Sequence, residues 1–255
     1  MSHNSNGGGP NPAADTIPAP VQSEFMGQWL SGSHRKTAYA LRSNAETLCR
    51  EAGVNSVGFL TLTVGDYHCR THGKQIPENQ NFCPACRAEK LWRRMDFQGV
   101  ADAREASRRV NSLRGFLMTV FSRSIIVTER HKSGAIHFHL LGAICGKPDI
   151  RTGLDFDQLR RRNYRSASPA LRGLWRMLRE KLPRYGFGRH ELLPIRKTGE
   201  AVAAYISKYI EKNVCNRTED DKHKKLVRYF GWDKCQLKPN EFEWDGVRAR
   251  LGGVM

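Results

Sequence analysis

Residues 124–144 read SIIVTERHKSGAIHFHLLGAI, and the way this stretch pairs with itself decides the fold. Period-two alternation through Ile136, His137, Phe138, His139 and Leu140 sends the three apolar side chains to one face and both histidines to the other. The run before it, 124–130, is β-branched and apolar enough to be the partner strand. Lys132-Ser133-Gly134 suits a three-residue hairpin loop with Gly134 in the left-handed conformation. That register sets Glu129 opposite His137, whereas a one-residue slip would carry Glu129 to the core face and leave the two histidines by themselves. Two imidazoles and a carboxylate suit Mg²⁺ or Mn²⁺ when phosphate oxygens complete the shell, so Glu129, His137 and His139 are candidate ligands of a catalytic divalent ion. The competing reading is an exposed strand with two histidines on its wet side.

Working outward, residues 57–64 read as a strand with Leu60, Leu62 and Val64 inward and Thr61 and Thr63 on a polar face. Residues 89–120 carry one long helical pattern, breaking at Gly99 and Gly115. Residues 169–182 predict a helix with Leu171, Leu174, Trp175 and Leu178 on one stripe, Ser168 as N-cap and Pro183 just past the end. A further strand is expected at 190–195. Strands separated by helices around one hairpin predict an α+β fold, an antiparallel β-sheet with helices packed behind it and polar groups in front. The expected organisation is a disordered tail over 1–20, a helical segment over 21–56, a core domain over 57–213 with an insertion at 66–90, and a basic extension over 214–255. The helical segment carries Phe25, Trp29, Leu30, Tyr39, Leu41 and Leu48, and packs against either the sheet or nucleic acid. In the extension, Trp232, Phe242 and Trp244 suggest a small packed appendage.

A second motif lies at 201–213, AVAAYISKYIEKN, preceded by Thr198 as a candidate N-cap. At ~100° per residue, Val202, Ile206 and Ile210 form an apolar stripe, with Tyr205, Lys208 and Lys212 to one side and Tyr209 at its border. Tyr205 and Tyr209, four apart, sit one above the other. A plainer reading makes the tyrosines core edge and the lysines dipole complements.

His137-Phe138-His139, Tyr205-Ile206-Ser207-Lys208-Tyr209 and Phe59-Leu60-Thr61-Leu62-Thr63 together resemble the HUH endonuclease superfamily, and within it the two-tyrosine rolling-circle replication initiators of bacterial plasmids and single-stranded DNA phages. The histidine run is the His-hydrophobic-His signature, the tyrosine run resembles the two-tyrosine motif with its lysine, and the run from Phe59 is similar to a less specific motif; the likeness spans roughly residues 58–213. It implies site-specific nicking of single-stranded DNA at a replication origin, a 5′-phosphotyrosine intermediate and a released 3′-hydroxyl that primes synthesis, with host helicase and polymerase as partners. The chemistry is coherent. Hydrolysis would discard the bond energy that resealing needs, whereas a covalent tyrosyl ester keeps it. A phenol, with pKa of about 10, needs nearby positive charge to attack at neutrality. Lys208 stands one helical turn from Tyr205, and Lys212 stands likewise to Tyr209, so which tyrosine attacks first stays open, with helical angle favouring Tyr205. The sequence has no GxxxxGK[ST] phosphate loop, so a helicase would come from elsewhere. A relaxase or transposase of the same superfamily would share these residues.

The pairs Cys69-x₂-His72 and Cys83-x₂-Cys86, joined by a ten-residue loop, have the spacing of a structural Zn²⁺ knuckle, with His68 an alternative to His72. Cys49, Cys145, Cys215 and Cys235 lack paired spacing, and seven cysteines imply no disulfide framework. The chain carries 42 Lys plus Arg against 25 Asp plus Glu, a formal net charge of +17, as a phosphate-binding protein would. Arg160, Arg161, Arg162 and Arg165 flank Tyr164, and Lys224 and Lys225 lie in a basic run leading to Arg228 and Tyr229. Both runs suit single-stranded DNA binding, or are solvated loops. No stretch approaches the roughly 18 apolar residues of a membrane span, and the amino terminus lacks a cationic, apolar leader, which predicts a bacterial cytoplasmic protein with no membrane partner. Two other classes remain: a non-catalytic zinc-containing nucleic-acid-binding protein, and a metal-dependent phosphodiesterase that needs no tyrosine.

Overall fold

The computed structural model describes residues 32–76, 83–88, 95–131, 133–216, 219–221 and 224–233. Its centre is the hairpin of 124–144. Strands β4 (Phe121–Arg130) and β5 (Ile136–Ile144) pair antiparallel with Glu129 opposite His137, the predicted register, and Gly134 closes the loop at φ +85°. Strand β1 (Val57–Thr63) lies on the other side of β5, β6 (Arg189–Pro194) on β1, and β7 (Val227–Phe230) on β4. The result is a five-stranded sheet in the order β6-β1-β5-β4-β7, antiparallel throughout. A separate two-stranded sheet pairs β2 (Gly65–Cys69) with β3 (Met95–Gly99).

Behind the sheet, α3 (Ala103–Ser112), α4 (Arg114–Val120) and α6 (Pro169–Lys181) bury Val110, Leu117, Leu171 and Leu178 against Leu60, Leu62, Phe138 and Leu140. The caps agree with the residue types. Ser168 Oγ accepts from the amide of Leu171 at 3.2 Å, and Asp102 accepts from that of Arg104 at 2.7 Å. The histidine face is covered too, by α1 (Gly32–Ala52) and α7 (Gly199–Asn216), which pack Leu41, Leu48, Ala203, Ile206 and Ile210 on Val57, Ile125, Val127 and Leu141. The expected α+β sheet with helices packed behind it is thus observed, and helices cover the histidine face as well, because apolar residues on that face, Val127 and Leu141 among them, need burial as much as those behind. The choice left open for the helical segment resolves toward the sheet for 32–52, whereas Phe25, Trp29 and Leu30 lie outside the described residues.

Two expectations change. Of the helical pattern expected over 89–120, residues 89–94 lie outside the described residues, Met95–Gly99 is the strand that partners β2, and the described helices run from Ala103 with their break at Leu113 rather than Gly115. Within the basic extension, Val227–Phe230 is a strand of the main sheet, and Trp232 Nε1 donates to the carbonyl of Ser124 at 3.1 Å. Phe242 and Trp244 lie outside the described residues. The buried Arg130–Asp221 pair holds this extension: Arg130 makes two hydrogen bonds of 2.6 and 2.7 Å to the carboxylate and also donates to the carbonyls of Ala101 and Gly134. Among the described residues no helix is long and apolar enough to cross a membrane.

Candidate active site

Antiparallel partners point the same way, so register alone assembles the site. One row across the sheet runs Arg189, Thr63, His137, Glu129, and the next runs Glu191, Thr61, His139, Val127. Thr63 Oγ1 lies 3.2 Å from His137 Nδ1, and Thr61 Oγ1 lies 3.3 Å from His139 Nδ1. Each imidazole thus has its Nδ1 engaged by a hydroxyl, which orients the ring and directs Nε2 outward. Glu129 reaches diagonally to His139, Oε2 to Nε2 at 2.6 Å, rather than straight across to His137. His137 and Glu129 stand directly opposite on the strands, yet the ring of His137 faces His131, with centroids 5.3 Å apart. Desolvation lifts the Glu191 carboxyl above the usual carboxylate range.

Helix α7 begins where predicted, the amide of Ala201 donating to Thr198 Oγ1 at 3.3 Å. It lays Tyr209 flat on His139, with ring centroids 4.0 Å apart and planes 18° from parallel. Tyr205 packs on Phe59 at 5.8 Å, and Tyr209 Oη donates to Tyr205 Oη at 2.6 Å. Tyr209 is buried at 5% exposure while Tyr205 is half-buried, in keeping with the predicted border position of Tyr209. Lys208 is exposed on the same helix; Lys212 lies on α7, but its side chain is outside the described residues. Tyr209 on α7 thus meets His139, seventy positions earlier on β5, and His139 in turn meets Glu129. Sequence reasoning noticed the polar face of Thr61 and Thr63 but not their pairing with the histidines, and it missed Glu191 and Arg189. Aligning the two strands by alternation would have exposed all four.

The donor set of Glu129, His137 and His139 fits a hard or borderline divalent ion in chemistry. Among the described residues, however, only one cluster brings three or more donor atoms mutually within 4.8 Å, and it is Cys69, His72, Cys83 and Cys86. There His72 Nδ1 lies 3.4–3.6 Å from the three sulfurs, and Cys69 Sγ lies 3.5 Å from Cys86 Sγ. Tetrahedral zinc with these ligands would separate them by roughly 3.5–3.8 Å. The cluster therefore fits zinc, with no position open. His72 is the histidine of the cluster; His68 Nδ1 is buried elsewhere without a hydrogen-bond partner among the described residues. The backbone amide of His72 draws the Cys69 thiol down to about 6, and burial pushes that of Cys86 up to about 11.

The basic runs are placed apart from the histidines. Arg160 ends the short helix α5 (Phe156–Arg160), and Arg161, Arg162 and Arg165 follow it. All four are exposed, and Tyr164 contacts Trp175 of the rear helix α6 at 5.4 Å. Lys224 and Lys225 line a small cavity behind β4 with Arg130 and Asp221. Arg228 and Tyr229 are absorbed into the fold: Arg228 is 8% exposed and donates to Thr128 and Ser107, while Tyr229 accepts from Asn44 of α1.

No protein-family model and no solved structure matches the chain. It is similar to the phasyl DNA replicon protein arp of Escherichia coli, 38% identical over 221 residues, which make up 86% of this chain and 66% of that protein. The chain thus spans just under two thirds of the length of that relative.

Proposed function

We propose that this chain nicks single-stranded DNA at a replication origin and transfers the strand through a 5′-phosphotyrosine intermediate, so initiating rolling-circle replication in a bacterial cytoplasm. The observation that carries the reading is the stack of Tyr209 on His139 with the Tyr205 hydroxyl 2.6 Å from that of Tyr209. The likeness to a replicon protein supports the replication role, and the two-tyrosine HUH resemblance supplies the reaction.

In this reading Tyr205 is the first nucleophile. Its oxygen accepts the Tyr209 hydrogen bond, and it is the less buried of the two. The phenolate oxygen bonds to the scissile phosphorus while the bond from phosphorus to the 3′ oxygen breaks, and that oxygen leaves as a 3′-hydroxyl after taking a proton. One ester replaces another, so the energy for rejoining is kept. Glu129, His137 and His139 would hold Mg²⁺ or Mn²⁺, which when bound polarises the phosphate and offsets charge on its oxygens. Glu129 and His139 Nε2 would then share the ion in place of their direct contact, and the Thr61 hydroxyl could hold Nδ1 as donor or as acceptor, because a hydroxyl serves either tautomer. Lys208 supplies positive charge one turn from Tyr205. Zn²⁺ at Cys69, His72, Cys83 and Cys86 is structural. Arg160, Arg161, Arg162, Arg165, Lys212, Lys224 and Lys225 bind DNA beyond the reacting site, and host helicase and polymerase complete the round.

The test is incubation with Mn²⁺ and labelled single-stranded oligonucleotides tiled across the origin of the replicon that encodes the chain, read by denaturing gel and mass spectrometry. A metal-dependent adduct lost in the Tyr205→Phe, Tyr209→Phe double variant is the expected result. Cleavage without adduct would mean hydrolysis, and tight binding without cleavage would favour a zinc-containing binding protein.

A further inference from the structure

The zinc-bearing hairpin is docked beside the histidine row. The Gly65 amide donates to the carbonyl of Gly186 and the Gly65 carbonyl accepts from the amide of Gly188, both at 3.0 Å, while Arg109 of α3 pairs with Asp66 at 3.2 Å. Two glycines make the approach possible: a Cβ on Gly65 would lie 2.6 Å from the Phe97 ring, and one on Gly188 would lie 3.0 Å from Phe97 and 3.3 Å from Tyr67. The aromatic pair, Tyr67 edge-on to Phe97 at 5.3 Å, is thereby laid against the chain entering β6. The first residue of that strand, Arg189, holds its guanidinium 4.5 Å above the Phe97 ring. Arg189 is exposed, and among the described residues no carboxylate lies within ion-pair distance of it. It also heads the row that continues through Thr63 to His137, two strand spacings or ~10 Å away.

We propose that Arg189 and Phe97 form a stacking subsite for one base of single-stranded DNA, next to the nucleotide whose phosphate meets the histidines. The inference rests on the nickase reading for the identity of its ligand. A guanidinium held over a ring and unpaired by acid offers its outer face to a base and its charge to the adjoining phosphate, a combination that binds single strands without reading sequence. A duplex base has no free face to offer it. The subsite also gives the zinc knuckle a task, since the cluster at Cys69 and Cys86 closes the far end of the hairpin that carries Phe97.

The experiment is fluorescence anisotropy of the zinc-loaded full chain with a single-stranded origin oligonucleotide, in which each nucleotide is replaced in turn by an abasic one. Wild type loses roughly ten-fold in affinity at one position. Phe97→Leu and Arg189→Gln each remove the dependence on that position, and Phe97→Trp restores it. Uniform weakening in both variants, with the abasic dependence intact, would overturn the subsite and make the contact a tether of the hairpin. Adduct formation on the same oligonucleotides separates the two claims. Adduct without coupling sinks the subsite alone, coupling without adduct sustains the subsite while the nickase reading fails, and absence of both rejects them together.

Discussion

The molecule holds two sets of candidate metal ligands, built on different principles. Cys69, His72, Cys83 and Cys86 come from a strand end, a turn and the start of the short helix α2 (Pro84–Ala88), with Ile76, Tyr67 and Ala85 packed around them. His137, His139 and Glu129 ride on adjacent strands whose ladder places them. Four donors would close the first set around the ion it holds. Three donors would leave an ion on the second set with open positions, as the proposed reaction requires.

Removing zinc should show the contrast most strongly. Structural zinc sites contribute about 10–16 kcal/mol in small peptides. Chelation, or Cys83→Ser with Cys86→Ser, is expected to abolish hydrogen-exchange protection across 65–99 while β4 and β5 keep theirs. Loss of both together would break the comparison. Because the thiols must shed protons to bind, zinc affinity should also fall as pH is lowered.

The counterpart for the sheet is the buried pair that locks the hairpin loop. Asp221→Ala leaves Arg130 charged and buried without its partner, an expected loss of about 3–5 kcal/mol in urea unfolding, insensitive to chelator. A finer cut is Thr61→Val with Thr63→Val. Removing such outer contacts lowers metal affinity by about 10- to 100-fold, and Thr→Ser variants should recover it, as titration of bound Mn²⁺ would report. If valine binds as well as threonine, the strands alone orient the histidines.

The smallest effect concerns how α3 joins the two regions. Glu105 is held down to about 2 by hydrogen bonds from Arg108 and Arg109, and Arg109 reaches on to Asp66 of the zinc hairpin. A carboxyl depressed in the folded state contributes stability above its unfolded pKa of roughly 4.5, and that stability is lost as pH falls from there toward about 2. Glu105→Gln should flatten the acid limb of the unfolding midpoint over that window, by a small amount that salt reduces further.

Legibility in the sequence followed the range of the interactions. The hairpin was readable because alternation and a glycine turn are local, and its register carried Glu129 and His137 into one row. The caps at Ser168 and Thr198 and the cysteine spacing were readable for the same reason. Met95–Gly99 was not, since a five-residue run obeys either period and its strand partner begins thirty positions earlier. Nor was β7, whose lysine-rich approach reads as loop until Arg228 is seen buried against Ser107 and Thr128. Stacking of Tyr209 on His139 needed the helix to be placed on the sheet, and no local signal does that.

The position of β5 has a consequence in time rather than in space. It is the middle strand of five, paired along its length with β4 on one side and β1 on the other. Amides in such a strand are released only when the whole sheet opens, whereas Gly65–Cys69 and Met95–Gly99 form a separate two-stranded sheet that is expected to open first. The two sheets should therefore keep different clocks, the histidines holding their places for as long as the fold lasts while the hairpin carrying Phe97 exchanges its amides sooner.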